Sequence, residues 1–198
     1  MENQKIGNIE NFSNEKNIGI ISDSSPFAEN FYFEDFFEEN NIKKFIKNTE
    51  RLIRQSREYD EYISLLRTNI KELNHDNILS KITSADASLE FHHYPFSLFD
   101  IVETIMMQHV IDDEKFTSFS IAKEVVDLHY ENKIGLVPLS ITTHELAHSG
   151  NLFISKKQIF GDYTSFKKKY EKGVSADLNR KIKEMEEDEK ASDFKGVL

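Results

Sequence analysis

A chain of 198 residues with 38% hydrophobic and 30% charged side chains is long enough to bury the core of one ordinary domain, and no apolar run approaches the roughly 20 residues a membrane span needs. An integral membrane protein is therefore not expected. The absence of cysteine excludes disulfides and thiolate metal sites, leaving imidazole and carboxylate as transition-metal donors, and the formal charge of -10 argues against general affinity for nucleic acid, which Lys and Arg drive.

The first residues, Met1 to Asn8, lack the basic, apolar, small-residue order of a secretory signal, so a cytoplasmic setting is expected. Residues 1–30 are rich in Asn, Ser, Glu and Lys and read as a flexible arm, in which Ile18-Gly19-Ile20-Ile21 could form a short strand. Phe31, Phe33, Phe36 and Phe37 alternate with Glu34, Asp35, Glu38 and Glu39, a block that suits an amphipathic helix or a docking segment for a protein partner. Residues 31–77 form a helical N-terminal region. Phe45, Ile46, Leu52 and Ile53 mark one helix, Tyr59, Tyr62, Leu66 and Ile70 a second that starts near Ser56, and Asn74-His75-Asp76-Asn77 a closing turn.

The texture changes at Ile78. Ala87, Leu89 and Phe91 alternate with Ser88 and Glu90 as in a half-buried strand, which delivers His92 and His93 at its end before Pro95 interrupts it. Ser97 then caps a helix carrying Leu98, Ile101, Val102 and Ile105, and another helix spans about Ser118 to Leu128. His109 and His129, on or beside these helices, read as ordinary structural or surface histidines. A turn at Asn132 to Gly135, a strand over Leu136 to Leu139 and a short helix over Thr143 to Ser149, stopped by Gly150, follow. Leu152 to Ser155 reads as a strand or a packed loop. Residues 156–198 form a basic, then acidic, helical region with helices near 163–172 and 175–190.

The chemistry concentrates in two stretches, Glu90-Phe91-His92-His93 and His144-Glu145-Leu146-Ala147-His148, which hold four of the seven histidines. The second reads as H-E-x-x-H, the pattern in which two histidines hold zinc and the glutamate activates water in a peptidase. Asp162 or Glu171 could be nominated as its third ligand. Thr142 and Glu145, however, have the spacing of a capping box, so Glu145 has a structural task available, and this reading leaves His92 and His93 without a role.

Taken together, the E-x-H-H strand end, the strand Leu136-Val137-Pro138-Leu139 and the H-x-x-x-H helix resemble the HNH family of ββα-metal nucleases. The similarity is to the subtype found in colicin nuclease domains and to small phage HNH-type proteins, and it covers roughly Ser88 to Gly150. It implies an α+β fold, mainly helical, with a small antiparallel ββα-metal core and a helical insertion within residues 78–155. It further implies one divalent metal ion (Mg, Mn, Zn or Ni) held by His92, His144 and His148, with His93 as general base and Glu90 orienting His93. Gly135 stands where the family has its middle Asn, and nearby Asn132 is taken as the substitute. The activity implied is metal-dependent endonucleolytic hydrolysis of DNA in a host cytoplasm. Lys156, Lys157, Lys167, Lys168 and Lys169, crowded after the second histidine stretch, would then hold substrate phosphates or form a solvated basic surface. Two alternatives stand beside it: a catalytically inactive HNH-derived module that binds a protein through the acidic, Phe-rich N-terminal region, and the zinc peptidase.

Overall fold

The computed structural model describes residues 39–195, with side chains through Glu189. The expected arm, the Ile18 to Ile21 strand and the Phe31 to Phe37 block lie outside the described residues. Seven α-helices and one two-stranded antiparallel sheet occur among the described residues, so the protein is α+β and mostly helical. In chain order they are α1 (Glu39–Gln55), α2 (Arg57–Asn69), β1 (Leu89–His93), α3 (Leu98–Ile111), α4 (Ser118–Tyr130), β2 (Leu136–Ser140), α5 (Ile141–His148), α6 (Tyr163–Lys169) and α7 (Ala176–Lys195).

The helices start where side chains can satisfy the free N–H groups of a first turn. The Ser56 hydroxyl accepts the Tyr59 N–H ahead of α2, and Ser97 with Asp100 and Thr117 with Ser120 close reciprocal boxes ahead of α3 and α4. Helices α1, α3 and α4 then pack around a core of fully buried Ile46, Ile53, Ile101, Ile105, Ile121 and Val125, to which α2 adds Tyr62 and Leu66, α6 adds Phe166 and α7 adds Ile182. Residues from the N-terminal, middle and C-terminal regions thus share one core.

The sheet lies at the edge of this core. The register pairs Leu89 with Ser140, Phe91 with Pro138 and His93 with Leu136 on one face, and Glu90 with Leu139 and His92 with Val137 on the other, because successive strand side chains point to opposite sides. The first face meets the helical core through Leu136 and Phe91. The second carries its own small cluster of Val137, Leu139 and Ile154, against which Ala147 of α5 packs. Every residue of β2 is buried, which explains its uninterrupted apolar reading. Leu136 exchanges two backbone hydrogen bonds of 2.8 Å with Phe160, and the Asn77 N–H donates to the Pro138 carbonyl at 3.0 Å. Gly135 precedes β2 because the Tyr94 carbonyl oxygen lies 2.0 Å from where a Cβ would stand. Any other residue at this position would drive its Cβ into that backbone oxygen. No helix among the described residues is long and apolar enough to cross a membrane.

Candidate metal centre

Helix α5 follows β2 without a break and runs back over the Glu90–His92 face of the sheet. Its start differs from the sequence expectation, and the reason is a residue far away in the chain. The helix begins at Ile141 with Ser140 as N-cap, and the Ser140 side chain makes no capping bond. The buried Asp76 carboxylate substitutes: Oδ2 accepts the Ser140 N–H at 2.8 Å and the Thr143 hydroxyl at 2.5 Å, while Oδ1 accepts the Ile78 and Leu79 N–H groups at 2.8 and 2.9 Å. Burial raises the Asp76 pKa, but the bonds from Thr143, Leu79 and Ser140 outweigh it and bring the carboxyl down to about 2. Thr142 therefore lies inside the helix, and the capping box expected with Glu145 is not the device that starts it. The far end stops as expected: Gly150 takes φ 70°, and its N–H donates to the Ala147 carbonyl at 3.1 Å.

This placement brings His92 from β1 and His144 and His148 from successive turns of α5 together. One nitrogen of each lies within 4.8 Å of the other two, and the ring centroids are 4.5 to 5.0 Å apart. The Nε2 atoms of His144 and His148 are 3.1 Å apart. Two nitrogens on one tetrahedral ion, with bonds of about 2.0–2.1 Å, would be separated by about 3.3 Å, so the donors suit a shared ion. The carboxylate of Glu90 accepts a hydrogen bond from Nδ1 of His144. A carboxylate can only accept when ionised, so Nδ1 carries the proton and Nε2 presents its lone pair, the arrangement of a carboxylate–histidine–metal relay. Burial, with smaller contributions from His144 and His148, lowers the His92 pKa to about 4, which keeps that ring in its ligand form near neutrality. Three protein donors, with His148 exposed, leave a side open for water or substrate.

His93 does not join them. It shares its face with Leu89 and Phe91, so its ring enters the helical core, where it stacks on Tyr59 at 6.3 Å and lies 3.0 Å from Nε2 of His129. His129 Nδ1 donates to the Val125 carbonyl at 2.7 Å, so its Nε2 is bare and Nε2 of His93 must donate to it. Burial, then His129, holds the His93 pKa well below its ordinary range. The expected general base is thus a buried structural histidine in this arrangement, and Glu90 orients His144 rather than His93.

Asn132 occupies the turn before β2 with φ 54°, and its carbonyl accepts the Asp162 N–H at 2.7 Å, a conformational role. The Asp162 carboxylate accepts the Ser165 N–H and caps α6. The lysines are dispersed. Lys169 lies 3.4 Å from Glu124 of α4 and donates to Tyr170 at 2.6 Å, while Lys167 and Lys168 ride on α6. Lys156 and Lys157 form a 3₁₀ turn whose entry is held by Glu189, which accepts the Lys156 N–H at 2.8 Å. Two contributors escape a reading of the sequence: Asp76, whose one signal is its place in the Asn74–Asn77 turn, and His129 as the partner of His93.

Residues 1–196 match the family model described as bacteriophage G278-like virion protein. The chain belongs to that family. Searches of curated proteins and of solved structures find no match. For a member of a phage virion family, the ββα arrangement and its three histidines are the features on which a functional reading can be built.

Proposed function

We propose that this phage protein is a one-metal phosphodiesterase of ββα-metal type that acts on DNA. The observation that carries the reading is the convergence of His92, His144 and His148 across β1, β2 and α5. An all-imidazole donor set suits Zn or Ni better than Mg, which prefers oxygen ligands. His144 and His148 supply two donors one helical turn apart, His92 supplies the third from a strand whose register is fixed by the burial of β2, and Glu90 holds the His144 tautomer. A bound divalent ion supplies Lewis acidity toward a phosphate oxygen and lowers the pKa of water, so catalysis at this centre does not depend on His93 as a base.

The second reading is a virion component that keeps the metal centre without catalysis. The burial of His93, the charge of -10 and the family's virion description favour it. Supercoiled plasmid incubated with protein and Zn²⁺, Ni²⁺, Mn²⁺ or Mg²⁺ separates the two. We expect nicking by the wild type and none by His148→Ala, with ion affinity lost in parallel by calorimetry. A wild type that binds the ion yet leaves plasmid intact with all four metals leaves the second reading standing, and one that binds no ion removes both.

A further inference from the structure

Next to the histidine cluster a groove of about 530 Å³ runs between the end of β1, the segment after α5 and one face of α7. It adjoins the centre at both ends of the metal-bearing unit. Tyr94, which lines it, also stacks against His92 with ring centroids 6.4 Å apart, and Gly150, two residues beyond His148, forms part of its wall. Phe153 lines the same groove and is 47% exposed, so its ring is open to a ligand there. The polar lining is uneven: Lys181 is the single cation among the lining residues, set against Glu184, Asp188 and Asn151.

Resting on the reading of the centre as a phosphodiester site, the geometry points to single-stranded DNA as the substrate, with the base beside the reacting phosphate held in this groove. A track for a phosphate backbone needs a row of cations, and two carboxylates facing one lysine repel a second phosphate. Aromatic rings and acceptor groups in one lining suit a base: the rings offer a stacking surface, and the carboxylates and amide accept from its N–H groups. The volume is of the size that holds one small ligand, roughly 300–1,000 Å³, and so is large enough for one unstacked base.

The test is the binding of a fluorescein-labelled, phosphorothioate 12-mer to the Zn²⁺-loaded full chain, followed by anisotropy and compared with the same strand in a duplex. The single strand is expected to bind at least tenfold more tightly. Phe153→Ala should weaken that binding about tenfold through loss of one stacking partner, while zinc affinity and the thermal midpoint stay at wild-type values. Equal binding of single strand and duplex, equal binding by Phe153→Ala and wild type, no binding of either DNA, or a labelled casein peptide held in a Phe153-dependent way would each overturn the inference. The phosphodiesterase reading fails by a different result, intact plasmid with every ion. Phe153-dependent binding of the single strand would survive that result.

Discussion

At the scale of single residues, the adjacent pair His92 and His93 carries the argument, because one bond of sequence separation sends the two rings to opposite faces of a strand. The alternation that marks Leu89 and Phe91 as inward and Glu90 as outward also assigns His93 to the core and His92 to the face under α5. That division is legible in the alternation, but the resemblance to an E-x-H-H motif overrides it and puts His93 in the site. The identity of His129 as the buried partner is not legible there, since a contact across 36 positions has no local signature. Replacing His93 with Ala removes a ring stacked on Tyr59 and leaves His129 without its donor, so the expected cost is on the order of 2–5 kcal/mol. Urea unfolding should show that loss while zinc affinity, measured by calorimetry, changes by no more than a few fold. A variant of wild-type stability that had lost only plasmid nicking would instead restore His93 as the base.

Among the elements, α5 shows why helix boundaries are readable while the device that fixes one of them is not. Caps within three residues of a helix, such as Ser56, Ser97 and Thr117, are written locally and match the expected starts. The cap of α5 comes from Asp76, 64 positions before Ser140, so a local reading turns to Thr142 and Glu145 instead. The distant cap ties the helix that bears His144 and His148 to the loop before β1, and so fixes their register against His92. Its strength should depend on pH. The folded Asp76 carboxyl titrates at about 2, below an unfolded value of about 3.9. Its contribution is therefore fully present above about pH 4 and is lost as the pH falls through about 2. Asp76→Asn should be less stable than wild type by about 2–3 kcal/mol at pH 6. The gap should narrow when the urea midpoints are compared between pH 4 and 2, and a gap independent of pH would show that the charge of Asp76 is not what holds α5.

For the whole molecule, the decisive division is between a large helical core and a ββα unit that has little core of its own. Periodicity in the sequence locates both, but it cannot show that the first face of the sheet joins the large core while the second rests on only Val137, Leu139 and Ile154 among fully buried residues. That asymmetry follows from which side of β2 each neighbour covers, a tertiary fact. A unit with so small a cluster would gain a larger share of its order from a bound ion bridging α5 to β1 than the core would, since metal binding free energy acts where the ligands are held. Chelation with EDTA should therefore speed amide hydrogen exchange in α5 and in residues 149–155. Exchange in α3 and α4, whose inward faces are buried throughout, should stay slow. Unchanged exchange in α5, in protein first shown to hold zinc, would mean that Asp76 and the small apolar cluster suffice to order the unit. Loss of protection everywhere would mean that the ion supports the whole fold, and the division drawn between core and ββα unit would have to be abandoned.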